Sequence, residues 1–134
     1  MAWDRGRIVI VSDLRPKELL DICEQIAVDS DCAIDDLRTE RVKGFHICDA
    51  RGEAPIYTLG TLIASSAGML RVPMDIDIYA DRTKRGDGRI SIDWIETGSS
   101  LRQSVCRFFA ESFADELETR IEQDGGEVFD SYDD

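Results

Sequence analysis

Histidine is nearly absent from this chain: His46 is the only one in 134 residues. Zinc sites built on paired imidazoles are therefore excluded, and the four cysteines (Cys23, Cys32, Cys48, Cys106) include no CxxC pair to replace them. Long hydrophobic runs are missing as well. Ile8-Val9-Ile10-Val11 is too short for the apolar region of a signal peptide. Ile56 to Leu70 is interrupted by Thr58, Thr61, Ser65 and Ser66 and is too short to span a bilayer. The expectation is a cytoplasmic chain with reduced, mostly buried thiols. Basic residues are also scarce, 16 against 28 acids, for a net charge of −12. That balance disfavours nucleic acid, whose phosphates call for cations, and adsorption on anionic lipid.

Catalytic signatures are missing too. There is no G-x-S-x-G, no phosphate-binding glycine loop and no dinucleotide fingerprint. Asp29, Asp31, Asp35 and Asp36 lack the glycine turn and distal Glu of a calcium loop. His46 and Cys48 stand two apart and share a face if their segment is a strand. A surface histidine beside a small thiol explains that spacing more simply than catalysis. The expectation is a protein without metal, cofactor or enzymatic activity.

What the chain does contain is periodicity. Residues 7–12 are β-branched and nearly uncharged, as a buried strand requires. Ser12, Asp13 and Pro16 mark a helix start, and Leu19, Leu20, Cys23, Ile26 and Ala27 fall along one helical face. Cys32–Leu37 and Phe45–Cys48 read as short strands. Leu59, Leu62, Ile63, Ala67 and Leu70 predict a second helix from Ile56. Met74, Ile76 and Ile78 alternate with Asp75, Asp77 and Tyr79, giving a half-buried strand with an acidic outer face. The basic loop Arg82, Lys84, Arg85, Arg89 links it to a strand over Arg89–Glu96 as a hairpin tip. After the capping box Ser100–Gln103, Leu101, Val105, Phe109, Phe113, Leu117 and Ile121 recur every fourth residue of a long helix. The order β-α-β-β-α-β-β-α predicts an α+β open-faced sandwich, a mainly antiparallel sheet with helices on one face. One domain is expected over residues 1–123, with 124–134 an acidic, disordered tail.

At the first strand–helix junction stands Ser12-Asp13-Leu14-Arg15-Pro16. With the order of elements, this corner resembles the HPr phosphocarrier family. In that family a His-Ala-Arg-Pro motif opens the first helix and its histidine carries phosphate. Arg15-Pro16 match that Arg-Pro, Leu14 takes the Ala place, and Asp13 stands where the phosphorylated histidine would be. Thr58 matches the regulatory serine that begins the family's second helix. The resemblance implies an HPr-like regulatory module that has lost phosphoryl transfer. It would bind a protein partner through Asp13, Leu14, Arg15, Thr58 and Leu62.

An alternative follows from charge. An acidic domain without catalytic groups suits an inhibitor or immunity protein against a basic toxin or nuclease, with Asp35, Asp36, Asp75, Asp77 and Asp81 as its contact residues. The charge is unevenly spread, however. Residues 122–134 hold six acids and no base, leaving 22 acids against 16 bases elsewhere, a net −6.

Overall fold

A computed structural model describes residues 5–38, 43–51, 71–95 and 100–129. The elements are β1 (Arg5–Ser12), α1 (Pro16–Asp29), β2 (Ala33–Arg38), β3 (Lys43–Arg51), β4 (Arg71–Arg82), β5 (Gly88–Ile95), α2 (Ser100–Gln123) and β6 (Val128–Phe129). Helix and strand are thus mixed, as the periodicity predicts. The helix expected from Ile56 to Leu70 lies outside the described residues.

The six strands form one sheet in the order β2-β3-β4-β5-β1-β6, and every pairing is antiparallel. After β1 the chain passes through α1 to the far edge of the sheet. It then meanders back through β2, β3 and β4 until β5 pairs with β1 along its whole length, from Arg5↔Ile95 to Ser12↔Gly88. The connection between β4 and β5 is a tight hairpin, as its glycines predict. Gly86 N–H donates to Thr83 O (2.9 Å), and the buried Thr83 hydroxyl accepts from Asp87 N–H (3.2 Å).

α1 begins where the sequence marks it. Pro16 opens the first turn, and the Glu18 carboxylate accepts the otherwise unpaired N–H of Arg15 (3.2 Å). Both helices end in the same way. Cys32 N–H donates to Ala27 O across a left-handed Asp31 (φ 55°), and Gly126 N–H donates to Ile121 O across Gly125 (φ 83°). These Schellman-type closures satisfy carbonyls that the last helical turn would leave open. Arg120 ties the helices together, reaching Asp29 (2.8 Å) and Glu116 (2.7 Å).

Among the described residues, one apolar core joins α1 and α2 to one face of the sheet. Ile76 and Ile78 of β4, Ile90 and Ile92 of β5, and Phe45 and Ile47 of β3 are completely enclosed. Leu19 and Cys23 of α1, and Leu117 and Ile121 of α2, close over them. Each such aliphatic side chain contributes about 1.5–3 kcal/mol on burial.

The segment whose composition reads as a tail behaves differently from that reading over its described part. After the Gly125 turn, Val128 and Phe129 add a short strand to β1, opposite Ser12 and Val11. The physical reason is tertiary. Gly126 packs against Leu14 and Ile121, and the Asp13 carboxylate accepts the Glu127 N–H (2.9 Å). No periodicity is needed when a free strand edge and a carboxylate hold two residues in place. Residues 130–134 lie outside the described residues.

Gly88 packs closely against the segment that leads into α1. A Cβ there would lie 2.2 Å from Leu14 O and 2.7 Å from a Leu19 methyl. Gly88→Ala is expected to destabilise the fold by about 1–3 kcal/mol in chemical denaturation. Gly86→Ala meets nothing within 4 Å and loses only the ease of its positive φ (95°).

Candidate functional site: the open face of the sheet

Strand alternation sends the neighbours of each core residue to the other face, and register lines them up. Asp35 of β2 stands opposite His46 of β3, His46 opposite Asp77 of β4, Asp77 opposite Asp93 of β5, and Asp93 opposite Arg7 of β1. Five charged or titratable side chains thus form a row straight across five strands. Directly opposed residues share a face and lie close enough to interact.

At one end of the row is a salt-bridged network around a buried carboxylate. The Asp93 side chain is 8% exposed. Arg7 grips it with two parallel bonds, Nε–H to Oδ1 (2.7 Å) and Nη2–H to Oδ2 (2.9 Å). The Tyr79 hydroxyl donates to Asp93 Oδ2 (3.0 Å) and accepts from Arg7 Nη2–H (3.0 Å). A carboxylate this enclosed is tolerable because both oxygens are satisfied and a guanidinium neutralises it. The network leaves its mark on titration. Burial, reinforced by the hydrogen bond to Asp93 and its charge, raises the Tyr79 phenol, while Arg7 pulls the other way. Farther along β4 and β5, Arg89 chelates Asp81 with bonds of 2.8 and 2.6 Å.

The other end is acidic. His46 Nδ1 lies 2.6 Å from Asp77 Oδ1, and Nε2 lies 3.5 Å from Asp75 Oδ1. One imidazole therefore bridges two carboxylates of the same strand. Beside it, a bulge in β3 brings Cys48 to Asp35, and the thiol donates to Asp35 Oδ2 (3.3 Å). That hydrogen bond holds the proton on sulfur. Slight desolvation and the charges of Asp35, Asp49 and Asp75 add to the effect, so the Cys48 thiol is raised above its ordinary value. An activated cysteine needs the opposite arrangement, a cation that favours thiolate. His46 and Cys48 lie on the same strand, and each is bonded to a carboxylate. Among the described residues, no three His, Cys, Asp or Glu are grouped to hold a metal ion, and no helix is long and apolar enough to cross a membrane.

The acids singled out by charge divide. Asp35, Asp75 and Asp77 gather around His46 and Cys48 on the open face. Asp81 shares that face but is spoken for by Arg89. Asp36 is opposite Phe45 and so belongs to the other face of β2. Adjacent acids in a strand cannot face the same partner. Around the helix corner, Asp13 and Arg15 are exposed while Leu14 is half-buried against the core. The Asp13 carboxylate is engaged by Glu127 N–H, and Leu14 N–H donates to Ser12 Oγ (3.2 Å). Thr58 and Leu62 lie outside the described residues.

Sequence reasoning passed over Arg7, Tyr79 and Asp93. One signal was available: an acid between Ile92 and Trp94, in the middle of a strand with a buried face, needs a partner. Its identity was not available, because Arg7 is 86 residues away. No protein-family model matches the chain, nor does any curated protein or solved structure.

Two measurements check the electrostatics. In an ultraviolet titration of the three tyrosines, one phenol is expected to ionise above the ordinary value of about 10, and Asp93→Asn is expected to bring it down. Because folded Tyr79 holds its proton more tightly than an unfolded tyrosine, its contribution to stability is complete below pH of about 10. That contribution is lost as pH rises through the raised value. Second, Cys48 is expected to react slowly with a disulfide reagent near neutral pH, and Asp35→Asn to accelerate it. An unchanged rate would show that Asp35 does not hold the thiol proton.

Proposed function

We propose that this protein is a non-catalytic, protein-binding domain whose open sheet face receives the basic surface of another protein. The observation that carries the reading is the division of charge along the transverse row. Asp93 of β5 is matched by Arg7 of β1, and Asp81 near the end of β4 by Arg89 of β5. Over β2, β3 and β4, the partners of Asp35, Asp75 and Asp77 among the described residues are the imidazole of His46 and the thiol of Cys48. In an open-faced sandwich, with helices on one face, the other face is what a partner meets. Carboxylates already held in place by side-chain bonds lose little freedom on binding and steer a cationic partner toward themselves. A basic toxin or nuclease fits this description. Its phosphate-binding cations are the groups such a face would cover, making the domain an inhibitor or immunity protein.

The test begins with proteins captured from the native host at low salt, followed by binding kinetics of the purified partner. Asp75→Asn/Asp77→Asn is expected to lower the association rate and flatten its dependence on salt, while Asp13→Ala leaves both unchanged. The reverse result, loss with Asp13→Ala and none with the acid pair, would overturn the open-face reading. It would favour the regulatory site implied by the HPr resemblance, around Asp13, Leu14, Arg15, Thr58 and Leu62.

A further inference from the structure

The two edges of the sheet are built differently. β2 is six residues long, is irregular in register between Ala33 and Ile34, and carries Asp35 and Asp36. Short length, bulges and charge are the usual means of blunting an edge against further strands. β1 is eight residues long, has unbroken register with β5, and contains no proline and no acid. On its outer side, among the described residues, only Val11 and Ser12 are paired, with Phe129 and Val128. Among the described residues, Arg5 to Ile10 have a neighbouring strand on one side alone. The Arg7 guanidinium does not guard this edge, since Asp93 draws it back over the sheet.

β6 demonstrates how this edge takes a strand: antiparallel, with Phe129 opposite Val11. The same register continued along β1 sets four successive residues of an added strand opposite Ile10, Val9, Ile8 and Arg7. Opposed residues share a face, so the chemistry of each position follows. Ile10 is buried in the core and Ile8 packs against it half-buried, so the strand residues opposite them are apolar. Arg7 is on the open face with its side chain 54% exposed, and a carboxylate suits the position opposite it.

We propose that the Arg5–Ile10 edge of β1 is a strand-addition site for an extended amphipathic segment of a partner protein, apolar opposite Ile8 and Ile10 and acidic opposite Arg7. Main-chain bonds supply the affinity of such a site, and the alternate side chains supply its selectivity. The site is separate from the acidic end of the open face and does not depend on the reading given above.

The probe is a blocked synthetic peptide, acetyl-Ile-Thr-Ile-Asp-Thr-amide, with a second in which Lys replaces Asp. Amide hydrogen exchange of the full chain is followed with each. The acidic peptide is expected to slow exchange in residues 5–10, and the Lys peptide to bind about twofold to fivefold more weakly. Arg7→Gln, checked for folding by its thermal transition, is expected to abolish that preference while leaving the protection. Two results would overturn the proposal: no protection of residues 5–10 by the acidic peptide, or equal binding of both peptides to the unaltered chain. A third would also overturn it: protection seen only in a chain ending at Phe129, which would assign the edge to this chain's own following residues.

Discussion

Ile76 and Ile78 on β4, and Ile90 and Ile92 on β5, are enclosed between the sheet and its helices. A slip of one residue in either strand would carry all its apolar side chains to solvent and bring Asp77 or Asp93 into the core. That penalty fixes the register of the central strands, and the rest of the molecule follows from it. β5 so held aligns β1, and β4 so held aligns β3 and through it β2. The row from Asp35 to Arg7 is the reverse side of the packing that encloses the isoleucines.

The polar face is ordered by the same logic that orders the core. Among the described residues, no buried side-chain nitrogen or oxygen lacks a hydrogen-bond partner. Asp93 is the demanding case, because a carboxylate with so little solvent must be matched or neutralised. Arg7 and Tyr79 meet that demand together, joining β1, β4 and β5 through side chains where the ladder already joins them through the backbone. At the acidic end, among the described residues, Asp35, Asp75 and Asp77 meet the imidazole of His46 and the thiol of Cys48 and no guanidinium.

At the helix corner the polar groups hold the local fold together. Asp13 accepts a backbone N–H from Glu127, and Leu14 is flanked by Gly126. A carboxylate in this position fastens the segment after α2 to the start of α1. The motif Leu14-Arg15-Pro16 serves the same start, with Pro16 in the first turn and Glu18 reaching back to the Arg15 N–H.

Much of this was legible in order of residues. Alternation of Met74, Ile76 and Ile78 with Asp75, Asp77 and Tyr79 identifies a strand and assigns its two faces. The four-residue recurrence from Phe109 to Ile121 identifies a long helix, and Gly86 and Gly88 identify a hairpin. Such signals are local, since a strand repeats every two residues and a helix turns every 3.6. They determined which residues are apolar partners and which meet water. They also placed His46 and Cys48 on one strand. Sequence could not show that Asp77 binds His46, that Arg7 and Tyr79 share Asp93, or that two residues after Gly126 complete an edge. Those are relations between segments brought side by side only by the meander returning to β1. Their register is set by enclosure of a core to which distant strands and both helices contribute, so the charged row belongs to the tertiary structure alone.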